Sequence, residues 1–232
     1  MKHLIVTEDV NSLPIAEYDR VILDSITNEI IYMNGVKYEY VDLGLSVKWA
    51  KCNVGAEKET DAGLYFAWGE TTGYTASQVG NDKQFSWSDY KYGNSSSNLT
   101  KYNESDSKTV LESTDDAATQ IMGSDWRMPT KADFDELLSG TTNEWVTNHN
   151  GTGVNGWKFT HKTDTSKYIF IPAAGDCGVG SVANVGSNGS VWSSSLRTSG
   201  PDYAWYLSFN SGHCNVNSIS RCYGRSVRGV RK

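Results

Sequence analysis

The sequence predicts an α+β fold with a mainly antiparallel sheet, two helices and long loops. Three observations lead there. β-Patterned runs open the chain, two capped helical segments follow near the middle, and β-patterned runs return toward the end. An Asn-Gly dipeptide separates two of the early runs, a strong hairpin signal. The last third then changes composition abruptly.

At 232 residues, 38% hydrophobic and 12% aromatic, the chain can be one large domain or one domain with a small appendage. A net charge of −6 argues against nucleic acid, because phosphate binding wants a basic face. The opening Met1-Lys-His-Leu-Ile-Val-Thr-Glu-Asp9 meets acid too early for a secretory signal, and no apolar run has the length of a membrane span. The expectation is therefore a virion-associated or cell-surface protein that travels by a non-classical route, or otherwise a cytoplasmic one. Cys52, Cys177, Cys214 and Cys222 lack metal-ligand spacing, so free thiols are expected, with a Cys214–Cys222 bridge as the alternative.

Taken in order, residues 1–38 read as a small β region or attachment arm that could also drive assembly into a homo-oligomer. Arg20–Asp24 is a short apolar run, and Glu29–Met33 and Val36–Val41 flank Asn34-Gly35, which supplies the positive φ angles of a two-residue turn. A second domain, 39–232, follows. Val41–Ala56 reads as strand, turn, strand, and Gly63–Glu70 as an aromatic strand. Thr71–Lys108 is a long polar excursion that Phe85, Trp87 and Tyr90 could hold down. Ser113-Thr-Asp-Asp116 fits a capping box for a helix ending at Gly123, and Thr130-Lys-Ala-Asp133 a second one, opening Ala132–Ser139 with Gly140 as its stop. Phe134, Leu137 and Leu138 form the buried stripe of that helix. Between the helices, Trp126 and Met128 anchor the link, and Arg127 reads as a hydrogen-bond hub. Gly156–Thr160, Tyr168–Pro172, Val191–Leu196, Ala204–Phe209 and Arg225–Arg231 are strand-like, whereas Asp176–Gly189 and His213–Tyr223 show no hydrophobic period.

Residues 168–231 contain no Lys, Glu, Gln or Met, although the preceding 167 residues hold 31 of them. At that rate the tail would carry about twelve. Turn-rich β structure is one explanation, since Ser, Gly and Asn are ordinary turn residues. Randomising the first two bases of the Asn codon AAC is the other: codons ending in C cannot encode those four residues or Trp. The two Trp residues of the tail, Trp192 and Trp205, lie within patterned strands, where fixed residues belong.

Several ordered motifs add a resemblance over residues 39–232: Tyr40-Val-Asp-Leu-Gly-Leu-Ser-Val-Lys-Trp-Ala50, Tyr65-Phe-Ala-Trp-Gly-Glu70, Asp125-Trp-Arg-Met-Pro-Thr-Lys-Ala-Asp-Phe-Asp-Glu-Leu-Leu138, Phe170-Ile-Pro-Ala-Ala-Gly175, Trp192-Ser-Ser-Ser195 and Gly224-Arg-Ser-Val-Arg228. The chain resembles a family of Bacteroidetes proteins with a C-type-lectin-like fold, related to the formylglycine-generating sulfatase modifiers. Its members are similar to the variable proteins of diversity-generating retroelements in bacteria and their phages, whose genes are rewritten at template adenines. The resemblance implies a hypervariable protein that binds a bacterial-surface protein or glycan, with the fold as a fixed frame. An undiversified lectin-like adhesin of the same fold is the alternative.

The suspected variable region is 176–223. The side chains expected to meet ligand there are Asp176, Cys177, Val179, Ser181, Ala183, Val185, Ser190, Val191, Arg197, Ser199, Asp202, Tyr203, Tyr206, Ser208, His213, Cys214, Asn215, Asn217, Ser218, Ile219, Ser220, Cys222 and Tyr223. Tyr with Ser and Asn gives large contact area and adaptable hydrogen bonding, as in antibody paratopes. In Ala204–Phe209, alternation would turn Tyr206 and Ser208 outward and Trp205, Leu207 and Phe209 inward. The expectation is no enzyme. The closely spaced reactive cysteines of the sulfatase modifiers have no match, since Cys214 and Cys222 stand eight apart, and no Ser-His-Asp or HExxH arrangement is readable. The EPN, QPD and WND motifs of calcium-dependent lectins are missing too. No cofactor is expected, and a structural calcium held by Asp and backbone oxygens is left open.

Overall fold

The computed structural model describes residues 38–232 in full and the backbone of Tyr32–Met33 and Val36–Lys37. The chain divides into two units, Met1–Tyr38 and Glu39–Lys232. In the first unit, β1 (Tyr32–Met33) pairs antiparallel with β2 (Val36–Lys37), and Met33 faces Val36 across the Asn34-Gly35 dipeptide. The dipeptide itself and the Arg20–Asp24 run lie outside the described residues.

The second unit is α+β, built mostly from antiparallel sheets. β3 (Tyr40–Val41) and β4 (Lys48–Asn53) make the strand-turn-strand expected of Val41–Ala56. The aromatic run keeps only β5 (Tyr65–Phe66) as strand. The long excursion contains a small ladder, β6 (Gly93–Ser95) with β7 (Asn98–Leu99). Phe85 and Tyr90 are buried beneath it, and Trp87 is half-buried with its ring edge-on to Tyr90. Buried Arg221 fastens this loop, donating to the carbonyls of Tyr92 (3.3 Å), Lys101 (2.6 Å), Tyr102 (2.7 Å) and Pro201 (3.0 Å).

Helix α1 (Ala117–Met122) has its N-cap three residues later than the Ser113 capping box implies. Ser113–Asp115 forms a 3-10 turn, and Asp116 is the N-cap, accepting from Thr119 N at 2.9 Å. The Asp116 carboxylate also takes the backbone N–H of Met128 (2.8 Å), which makes it a better anchor than Ser113. Gly123, at φ 101°, ends the helix as expected. In α2 (Lys131–Gly140) the Thr130–Asp133 box is present, and Arg127 clamps Asp133 through two nitrogens at 2.7 and 3.2 Å. Gly140 is the last helical residue, not the stop; Thr141 caps the end.

Behind α2, β8 (Thr141–Val146), β9 (Gly156–His161) and β10 (Tyr168–Pro172) form an antiparallel meander. The tail then makes a hairpin of β11 (Asp176–Gly178) and β12 (Ser181–Ala183), the long strands β13 (Asn188–Leu196), β14 (Tyr203–Asn210) and β15 (His213–Ser220), the short β16 (Arg225–Ser226), and β17 (Arg228–Arg231). One sheet runs β15-β14-β13-β16-β5, and another runs β17-β4-β3. The core lies between α2 and the sheets: Phe134 and Leu137 meet Trp49, Phe159, Ile169, Ile171, Val191, Leu207, Phe209 and Val230. Burial of each such side chain stabilises by about 1.5–3 kcal/mol. Arg228 is fully buried, bonded to Asn53 Oδ1 (3.0 Å) and to the carbonyls of Ala50, Lys51 and Phe170. Among the described residues no helix is long and apolar enough to cross a membrane.

His213–Tyr223, which shows no hydrophobic period, is thus mostly strand. β15 lies at the sheet edge with His213, Asn215 and Asn217 exposed, so only Cys214 and Val216, packed against the core, need be apolar.

Candidate functional site

The register of β13, β14 and β15 assigns every tail side chain to one of two faces, because directly opposed residues share a face and neighbours alternate. Val191, Leu207, Phe209, Cys214 and Val216 point toward α2. Further along the same face stand Tyr203, Trp205, Ser218 and Ser220. The opposite face holds Ser190, Trp192, Tyr206, Ser208, His213, Asn215, Asn217 and Ile219.

On that second face the exposed residues cluster along β15: His213, Asn215 and Asn217 are open, with Ser208 and Ile219 half-buried. Toward β13 the face is covered. The β11–β12 hairpin is stapled to the turn before β16 by paired backbone bonds, Cys177 N to Gly224 O (3.1 Å) and Gly224 N to Cys177 O (3.2 Å). Gly224 has no room for a Cβ, which would meet Cys177 Cβ at 2.7 Å. Beneath the staple lies Arg225, donating to Gly224 O (2.6 Å) and Cys177 O (3.0 Å). Its guanidinium sits 5.5 Å from the Tyr206 ring centre and 6.0 Å from those of Trp192 and Tyr223, and its Nε has no partner. Burial lowers the Arg225 pKa, and the charge of Asp176 on the hairpin opposes that shift.

The hairpin carries its own open side chains. Val179 and Val185 are 62% and 66% exposed, Ser181 and Ala183 are exposed, and Asp176 is half-buried, accepting from Asn184 Nδ2 at 3.4 Å. At the other end of the sheet Arg197 lies over the Tyr203 ring (5.4 Å) and donates to the hydroxyls of Ser199 (3.3 Å) and Ser218 (3.4 Å). Asp202 lines a polar cleft of about 560 Å³ with Gly200, Pro201 and loop residues Ser97, Asn103 and Glu104.

The expected ligand positions therefore divide. Val179, Ser181, Ala183 and Val185 share the hairpin. Ser208, His213, Asn215, Asn217 and Ile219 share the open sheet face, with half-buried Tyr223 beside Arg225. Arg197, Ser199, Asp202, Tyr203, Ser218 and Ser220 gather at the far end, Ser218 and Ser220 on the opposite side of β15.

Five positions are corrected. Cys177, Ser190, Val191, Tyr206 and Cys222 are buried. Cys177 is shut under the staple, and Ser190 bonds Gly175 O (3.0 Å) within the sheet. Val191 belongs to the α2 core, Tyr206 packs on Trp192 and Arg225, and Cys222 lies beside Ser220 Oγ (3.3 Å). Cys214 is half-buried, its side chain turned to the core. Trp205 stands on the inner face with Leu207 and Phe209, as expected, yet is half-exposed under Lys131 (5.3 Å to the ring centre), while Tyr206, on the outer face with Ser208, is covered. Trp205 and Arg225 were not among the expected positions. A strand covered on both faces gives no alternation that would find them.

All four cysteines are free, so Cys214 and Cys222 are unbridged. Burial pushes the Cys177 and Cys214 thiols up to about 12. Among the described residues no group of three or more His, Cys, Asp or Glu could hold a metal. No family model, curated protein or solved structure matches the chain.

Proposed function

We propose that this chain is a ligand-binding display protein of the C-type-lectin-like kind, diversified by a retroelement over residues 176–223, and not an enzyme. The observation that carries the reading is the division of labour within the tail. Val191, Trp192, Leu207 and Phe209 form the frame on β13 and β14, while His213, Asn215 and Asn217 on the adjoining β15 and Val179, Ser181, Ala183 and Val185 on the hairpin are open. Those open positions are drawn from residues that codons ending in C can supply. Side chains at such positions can change without touching the core. Cys177 and Cys214 support a non-catalytic reading, since thiols held near 12 carry almost no thiolate at neutral pH. The partner is a bacterial-surface protein or glycan, not nucleic acid, and the protein reaches it on a virion or cell surface.

The polar cleft beside Asp202 favours one runner-up, an undiversified adhesin that takes a sugar between the loop and the Gly200–Asp202 turn. Gene neighbourhood separates the two: a reverse transcriptase and a template repeat differing only at adenines support diversification. The binding test screens the chain against bacterial surfaces and glycans beside a Tyr203→Ala/Tyr223→Ala variant. Loss of binding in the variant supports binding through the tail; equal binding by both proteins overturns it.

A further inference from the structure

β15 is the outermost strand of its sheet, and its eight residues keep unbroken register with β14. Its hydrogen bonds show which backbone groups point away from the sheet. Ser218 N donates to Asn217 Oδ1 (2.8 Å), Trp205 O accepts from Ser193 Oγ (2.8 Å), and Tyr203 N and O bond Gly200 O and Arg197 N. The Trp205–Ser218 and Tyr203–Ser220 pairs are therefore the kind that exchange no ladder bonds. Alternation then turns the N–H and C=O groups of Cys214, Val216 and Ser218 outward. Among the described residues no strand pairs with that edge.

Exposed edges are ordinarily guarded by Lys, Pro, inward charge or a bulge. His213-Cys-Asn-Val-Asn-Ser-Ile-Ser220 has no Lys, Glu, Asp, Arg or Pro, and its ladder is unbulged.

We infer that this edge takes an extended polypeptide segment of the protein partner, which adds as a sixth strand along Cys214–Ser218; the inference rests on the binding function proposed above and names its ligand class. The outward N–H and C=O groups repeat every second residue, about 6.8 Å apart, a spacing that a polypeptide backbone matches and a sugar chain does not. Once the partner's carbonyl has displaced Asn217 Oδ1 from Ser218 N, the ladder uses no side chain of this protein, so it survives diversification, while specificity falls to the changing side chains beside it. On one face of the added strand these are Asn215, Asn217 and Ile219. On the other is Ser218 with Arg197, whose guanidinium ion-pairs with no carboxylate among the described residues. An acidic side chain of the partner strand fits there.

The test pans random linear peptides of about twelve residues against the full chain and resynthesises an enriched peptide with N-methyl groups on alternate amides. Methylation of one parity removes the peptide N–H groups that face the carbonyls of Cys214, Val216 and Ser218, up to three ladder bonds, and weakens binding at least about tenfold, and methylation of the other parity changes it less than about twofold. Ser218→Pro removes an outward donor but no bond to β14, so it weakens binding by about tenfold while the circular dichroism spectrum is kept. Ser218→Ala has an effect of less than about threefold. Equal effects of both methylation parities, unchanged binding by Ser218→Pro, self-association through β15 that excludes peptide, or binders found only among glycans each overturn the inference. Binding lost in Tyr203→Ala/Tyr223→Ala but indifferent to N-methylation would leave binding through the tail side chains standing without the edge. The reverse pattern would leave the edge without those side chains.

Discussion

Replacing Arg221 by Met tests how the long loop is held beside the tail. The change keeps an unbranched side chain and deletes the charge. It removes four hydrogen bonds to carbonyls, at 2.6 to 3.3 Å, and contacts with the Trp68 and Tyr90 rings at 5.6 and 5.3 Å. Bonds from a charged donor contribute about 1.5–3 kcal/mol each, so the gross loss is roughly 6–12 kcal/mol. Against this, a buried cation costs several kcal/mol to desolvate, a cost that Met escapes. Nε, which has no partner, adds about 1–3 kcal/mol to what Met escapes. The carbonyls win, because four buried or half-buried acceptors, three in the loop and Pro201 O in the tail turn, lose their donor together; the net destabilisation is about 3 kcal/mol. For a unit of this size that lowers Tm by about 6–12 °C. Thermal unfolding by circular dichroism reads the magnitude, and hydrogen exchange reads the place, with faster exchange concentrated in residues 92–102 and 200–202. A Tm within about 2 °C of the parent, or above it, would refute the reasoning, since burying the guanidinium would then cost as much as its bonds return.

Three further outcomes follow from the same geometry. Gly189→Ala puts a Cβ 2.0 Å from the buried Phe209 ring, which neither neighbouring strand lets move, so it destabilises by about 2–3 kcal/mol in chemical denaturation. Burial alone would raise the Asp115 pKa, but hydrogen bonds from Lys101, Tyr92, Tyr102 and Lys91 outweigh it and bring the carboxyl from 3.8 down to about 2. A depressed folded pKa means stability present above pH 3.8 and lost as pH falls toward 2, and Asp115→Asn flattens the unfolding midpoint across that window. Cys177 and Cys214 resist a thiol reagent at pH 8 in the native protein and react fully once it is denatured; prompt native labelling of either would contradict their burial.

Much of the frame is legible in the sequence because local chemistry and tertiary need agree there. Thr130 and Asp133 form their box at the start of α2, Gly123 ends α1, and β10 and β14 fall on apolar runs. The site is less legible. β15 has no period because an edge strand open on one face needs few apolar residues. Tyr206 faces outward as the alternation predicts but is buried, because β14 is covered from both sides, by α2 and by Arg225 beneath the hairpin. Ser113 is outcompeted as a cap by Asp116, whose carboxylate also takes the N–H of Met128, a partner twelve residues away that local spacing does not reveal.

The staple between Cys177 and Gly224 is made wholly of main-chain atoms. Its grip is indifferent to the side chains that residues 179–185 carry, so foreign sequences of matched length grafted over that segment should be presented in a fixed pose, with Gly180 (φ 72°) kept and the turn at Asn184 (φ 60°) best kept as Asn or Gly. The hairpin thus offers a port for transplanting recognition loops that leaves the rest of the molecule unaltered.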